Sequence, residues 1–193
     1  MEISLLSDRG LYFQGKDGTF AINPFDQKGQ LDFAGKKPDF LLVGEKLKEI
    51  PELEENNPRL FSWPGEMEMK GIAVEAHLQY PEHSALCFII HLDHLRICYL
   101  SEIKEAIHSD LVEKIGDIDL LIFPMGNQDK YIHDLIEEVE PKAILPLNSA
   151  AEPVSHHAFF SKIGLTTPDI SKSIKLTSKS DLGVGKIDVF LLN

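Results

Sequence analysis

The sequence predicts a mixed α/β fold of the α+β kind, and three observations carry that expectation. The first half reads as short strands joined by tight turns, the second half reads strand, helix, strand, helix, and no linker or composition break divides the 193 residues. A chain of this length suits one domain, 1–193, that buries roughly 70% of the surface its unfolded form exposes.

The elements follow in order. Ile3–Leu6, Leu11–Phe13 and Thr19–Ile22 form a β-meander broken at Asp8-Arg9-Gly10, Lys16-Asp17-Gly18 and Asn23-Pro24. Residues 26–37 are polar and make a loop. Phe40–Val43, an apolar run closed by Gly44, predicts a strand covered on both faces. Residues 45–57 are too charged, and too interrupted by Pro51, for a long core helix. Strands resume over 60–68 and Ile72–Ala76, with Pro64-Gly65 as a bend and Lys70-Gly71 as a turn. Leu86–Leu92 and Leu95–Leu100 make a hairpin around Asp93-His94.

The pattern then changes period. Ile103–Ile115 is helical in two pieces at most, with Ser109 able to cap a turn from Asp110 and Gly116 closing it. Ile118–Phe123 is a buried strand. Asn127 can cap a helix whose stripe is Tyr131, Ile132, Leu135, Ile136 and Val139. Pro141 stops that helix, Ala143–Leu147 is another buried strand, and Pro153 opens a helix through Ile163. Two alternating strands around a Gly-containing turn, over 173–177 and 186–192, complete the chain.

Composition narrows the function classes. A hydrophobic share of 43% and a charged share of 26% are ordinary for a soluble globular protein. The net charge of -12 repels nucleic acid and anionic membranes, so neither is an expected partner. The opening residues lack a basic start with a long apolar core, and no later run reaches membrane-spanning length, so the expected location is cytoplasmic. Cys87 and Cys98 flank the hairpin turn at diagonal positions about 7 Å apart, which favours two reduced, buried thiols over a bridge.

Four local sequences, in this order, resemble the metallo-β-lactamase fold. They are the meander running into Asn23-Pro24-Phe25, the bend Pro64-Gly65-Glu66-Met67-Glu68, the hairpin ending Tyr99-Leu100-Ser101-Glu102, and the strand 118–126 followed by 140–148. The chain is more closely similar to the small bacterial proteins of the ascorbate-6-phosphate lactonase-like branch. The resemblance implies an αββα four-layer sandwich, two mixed sheets face to face with helices outside.

It also implies a site. The family holds one or two divalent metals, usually zinc, in a His-x-His-x-Asp-His loop supported by a later His, a bridging Asp and a final His. The cation lowers the pKa of a bound water to roughly 7. Matching the strand Phe40–Val43 to the one before that loop places its four ligands at Gly44, Lys46, Lys48 and Glu49. Glycine offers no donor, and ammonium groups repel a dication. The later His corresponds to His77, the bridging Asp to Glu102 and the final His to Asn148, while Asp8 holds a family position near the site. The resemblance therefore implies a degenerate metal centre.

Three hypotheses follow. The first is a protein that has lost its metal site and works without a cofactor as a non-catalytic binding or structural module, its partner an unknown protein or a small anionic molecule, with a homo-oligomer allowed. The second is a metal-dependent hydrolase of a lactone, ester or phosphoester, with zinc or another divalent ion on a reduced set of His77, Glu102 and either Glu49 or His83. Against it, Lys46 and Lys48 can pair those carboxylates. The third is an anion site built on Lys46 and Lys48, for which a solvated charged loop is the simpler account.

Other signals carry less. His156 and His157 are adjacent on a helix and point apart, and His91 and His94 flank a turn facing solvent. Ser101 and Ser149 have no His placed as a base, and neither a Gly-x-Ser-x-Gly elbow nor a Gly-rich phosphate loop is present.

Overall fold

A computed structural model describes residues 1–7, 10–26, 28–44, 58–82, 84–126, 129–148, 153–183 and 185–193. Strands β1 (Glu2–Leu5), β2 (Leu11–Gln14) and β3 (Thr19–Ile22) pair antiparallel as the meander predicts, with Ile3 opposite Phe13 and Phe13 opposite Phe20. β4 (Phe40–Leu42) and β5 (Arg59–Phe61) extend the sheet in parallel. Across β2, β3 and β4 the rings of Phe13, Phe20 and Phe40 stack at 4.5 and 5.1 Å, which adds about 1 kcal/mol per pair to their burial.

The run 60–68 is two strands rather than one bent strand, and they lie in different sheets. Ser62-Trp63-Pro64 leaves the first sheet, and β6 (Gly65–Met69) begins the second. The crossing falls there because Pro64 has no N–H to donate to a ladder and Gly65 adopts a φ of 149°, accessible essentially to glycine alone.

The second sheet continues antiparallel through β7 (Ile72–Leu78), β8 (Leu86–Leu92) and β9 (Leu95–Leu100). After helix α1 (Ser109–Ile115), strand β10 (Leu120–Pro124) runs parallel to β9; after α2 (Asp129–Val139), β11 (Ala143–Leu147) runs parallel to β10. Helix α3 (His156–Lys162) follows. The tail departs from the expected pair. β12 (Ile170–Ser171) pairs with β15 (Leu191–Leu192), β13 (Ser173–Lys175) joins β1, and β14 (Asp188–Val189) joins β11. The tail is therefore divided among both main sheets and a small two-stranded sheet of β12 and β15.

The sheets pack face to face. Phe13, Phe20 and Phe40 meet Val74, Phe88, Ile90, Ile97 and Tyr99 in one buried cluster. The opposite face of the second sheet buries Cys87, Ile89, Leu121 and Phe123 under Leu111, Ile132, Leu135 and Phe159 of the three helices. Strands β8 to β11 are thus covered on both faces, which explains their near-continuous apolar runs. Among the described residues no helix lies on the outer face of the first sheet, and none is long and apolar enough to cross a membrane.

Helix starts differ from the expected ones. Residues 103–108 are not helical, and α1 begins at Ser109 with His108 in the capping position. α3 begins after Ser155, whose hydroxyl accepts the Ala158 N–H, so a side-chain cap and not Pro153 sets its start. The Asn127 cap lies outside the described residues.

Cys87 and Cys98 occupy the expected diagonal register, but their side chains lean together to an Sγ–Sγ distance of 3.6 Å without bridging. Their hydrogen bond and complete burial push the Cys98 thiol well up. Neither cysteine is therefore expected to react with a thiol reagent in the native state at neutral pH, whereas both should label after unfolding; intact-mass measurement checks this.

Candidate functional site

The two sheets are joined at one end by a buried polar network. Beyond β4, the Gly44 carbonyl accepts the Leu86 N–H at 2.9 Å and the Gly44 N–H donates to Asn23 Oδ1 at 2.9 Å. Asn23 Nδ2 donates to the Tyr99 hydroxyl at 2.9 Å. Asn23 itself holds a φ of 44°, a left-handed conformation that Asn tolerates better than most residues. Ser101 Oγ donates to the Leu86 carbonyl at 2.6 Å, and Gln79 Oε1 receives the Ser101 N–H at 2.7 Å. Each buried polar group here has a partner, so the network fixes how the sheets meet.

This packing dictates the residue at position 44. A Cβ there would fall 1.9 Å from Ser101 Oγ and 3.0 Å from Phe88 Cε2. Position 44 has no room for a side chain, and hence none for a metal ligand.

The other described candidates are occupied or face elsewhere. The Glu102 carboxylate lies 2.7 Å from Lys104 Nζ, so a neighbour two residues on supplies it with a cation. Tyr80 ties down the same loop, its hydroxyl donating to the Glu105 carbonyl and accepting the Lys104 N–H at 3.2 Å; burial pushes its phenol up. Asn148, at the end of β11, donates from Nδ2 to the Val154 carbonyl at 3.0 Å and accepts the Val154 N–H on Oδ1 at 2.9 Å. Its amide therefore closes the loop leading to α3. Asn148→Ala should cost about 1 kcal/mol and speed amide exchange at Val154, measured by hydrogen exchange with mass spectrometry.

His77 lies on the outer face of β7. Ile72, Val74 and Ala76 point into the core between the sheets, whereas His77 shares its face with Glu75, its Nε2 3.6 Å from Glu75 Oε2 and without a hydrogen bond. It lines an open pocket of about 460 Å³ with His108, Asp110 and Lys114 beside α1. His91 contacts Arg96 at 2.9 Å and Glu75 at 3.8 Å, and Asp93 receives the Lys16 N–H and pairs with the N-terminal ammonium at 3.0 Å, so the hairpin tip is tied down rather than simply solvated. Asp8, Lys46, Lys48, Glu49 and His83 lie outside the described residues, as does Ser149.

One imidazole comes to the strand ends that residue patterns did not single out as a site residue. His156 Nε2 lies 3.2 Å from Asn148 Nδ2, half-buried, while His157 is exposed. The two do point apart, as their adjacency on a helix requires. The signal for His156 was the Ser155 cap, which sets the helix phase.

Residues 2–148 match the family described as the β-lactamase superfamily domain. The chain belongs to the metallo-β-lactamase superfamily. No curated protein sequence matches it. Its fold is similar to that of a candidate zinc-dependent hydrolase of this superfamily from Thermotoga maritima, with a TM-score of 0.78 and 16% identity over 100% of this chain and 98% of that one. YhfI, a metallo-β-lactamase-fold protein from Bacillus subtilis, gives 0.64 and 8% identity over 97% and 95% of the two chains. Isothiocyanate hydrolase from Delia radicum gut bacteria gives 0.62 and 9% identity over 92% and 100%. These likenesses describe the fold.

The superfamily's metal needs imidazole and carboxylate donors converging on one point. Among the described residues, the one set of three such groups with ligand atoms within 4.8 Å of one another is His133, Asp134 and Glu137, on α2 and not at the strand ends. His77, Glu102 and Asn148 form no such set, so these three described candidates do not together fit the metal.

Proposed function

We propose that this chain keeps the cleft of the metallo-β-lactamase fold without its His-x-His-x-Asp-His centre, as a non-catalytic binding or structural module of the small bacterial, ascorbate-6-phosphate lactonase-like branch. The observation that carries this proposal is Gly44, where a Cβ would lie 1.9 Å from Ser101 Oγ. Two further observations support it: Lys104 neutralises Glu102, and Asn148 spends both its polar atoms on Val154. An unknown protein or a small anion attracted by Lys46 and Lys48 is the proposed occupant, and the charge of -12 disfavours nucleic acid.

A metal-dependent hydrolase with a reduced site is the second proposal. It is favoured by the hydrolase names of two structures of like fold and by the imidazole of His156 beside Asn148. Turnover of p-nitrophenyl acetate and p-nitrophenyl phosphate with added zinc or manganese separates the two. The binding module gives no turnover above a protein-free blank. The hydrolase gives turnover that EDTA abolishes and that His156→Ala lowers at least tenfold.

A further inference from the structure

We infer that the free edge of β6 docks an extended, basic segment of a partner protein. β6 ends the seven-stranded sheet and, among the described residues, pairs only with β7. Alternate N–H and C=O groups along its other side are therefore available to a further strand. This edge exists whether or not the chain binds metal at its cleft.

The side chains of β6 specify which strand it would accept. Met67 and Met69 pack onto the core between the sheets, and Glu66 and Glu68 are exposed on the outer face. The register sets Glu66 directly opposite Glu75, a like-charge pair that is unfavourable across strands. Among the described residues Glu75 has only the imidazoles of His77 and His91, at 3.6 and 3.8 Å, and neither Glu66 nor Glu68 has an ion-pair partner. A strand laid along β6 places every second side chain beside these carboxylates, where Lys or Arg would relieve the repulsion.

Two exposed apolar side chains stand at the Gly65 end of the same edge. Gly65 faces Ala76, and Trp63 lies two residues before Gly65 while Leu78 lies two residues beyond Ala76. Trp63 is 55% exposed and Leu78 46%, two of the three large hydrophobic side chains left in solvent among the described residues. The indole is held in place, edge-on to Phe61 at 5.2 Å and 71°. Edge carboxylates alone would serve to block aggregation, but an exposed indole next to them works against that purpose. A second copy of this chain is a poor occupant, because paired β6 strands would set Glu66 and Glu68 against their own counterparts and bring together two chains of charge -12.

Trp63 is the only tryptophan in the chain, so its fluorescence reports on this edge alone. The probes are two hexapeptides alternating Lys and Val, with Phe at the N-terminal or the C-terminal end, and the same peptides with Glu in place of Lys. At least one Lys peptide should shift the Trp63 emission saturably. Its affinity should fall at least tenfold in the Glu66→Lys, Glu68→Lys double variant and between about 50 and about 500 mM salt, and the Glu peptides should not bind. If the double variant does not fold, the salt series and the Glu peptides still decide. Equal binding of the Glu peptides, no saturation by either Lys peptide up to about 1 mM, or a dimer in sedimentation that shields Trp63 would each overturn the proposal.

Discussion

Gly44→Ala destabilises the protein by about 2–3 kcal/mol, the loss expected when a methyl group is forced into a filled contact. The added Cβ meets Ser101 Oγ at 1.9 Å, and that oxygen cannot swing away without breaking its 2.6 Å bond to the Leu86 carbonyl. Ser101→Ala removes the obstructing oxygen. The double variant should therefore cost less than the sum of the two single changes by more than about 1 kcal/mol, read from urea unfolding midpoints. Additive losses would mean that Ser101 is not what holds position 44 to glycine. Gly44→His should destabilise further and confer no affinity for zinc.

Asp119→Ala is expected to cost about 2 kcal/mol. The carboxylate is 2% exposed and receives the Lys142 ammonium at 2.7 Å, the Lys179 ammonium at 3.1 Å and the Arg96 N–H at 2.8 Å, tying β9 and the start of β11 to the tail. The figure sits below that for a fully buried pair because the lysine side chains, 45% and 54% exposed, regain water when the carboxylate is lost. Burial pushes the Asp119 carboxyl up, but Lys142, the Arg96 amide and Lys179 together outweigh it and hold the group below the usual carboxylate range. The unfolded chain therefore binds this proton more readily than the folded one. The contribution is fully present above the unfolded value of about 3.9 and is lost as pH falls through the lower folded value. Asp119→Asn should lose that part of the acid dependence, and urea midpoints measured from about pH 6 down to about pH 2.5 check it.

Much of the fold was legible because its strands are periodic and its turns are chemically distinct. Lys16-Asp17-Gly18 and Asp93-His94 mark hairpins that form, with positive φ at both Asp93 and His94. The change of sheet at Ser62-Trp63-Pro64 was not legible, since β5 and β6 carry similar patterns and nothing local states which sheet a strand will join. The tail hid its topology for the same reason. α1 starts late because Ile103 and Ile107 pack as irregular chain against the helix-side core, a tertiary effect that helical spacing does not reveal.

The absence of a donor at position 44 was legible in the sequence, and its cause was not. The need for glycine comes from Ser101, a residue of the other sheet brought in by the fold. Lys104 was not read as a partner of Glu102, although residues two apart beyond a strand end can reach each other freely. His77 was a candidate by residue type, and it lies within β7 rather than after it. Strand alternation still turned it outward, because Ala76 and Val74 take the inner face.

The most direct test of the proposed loss of the metal centre is the metal content of the purified chain. Protein expressed with added zinc and manganese, desalted and analysed by inductively coupled plasma mass spectrometry, should carry well under one metal per chain, and EDTA should leave its Tm unchanged. One or more tightly held ions per chain, with a Tm that falls on chelation, would contradict the account.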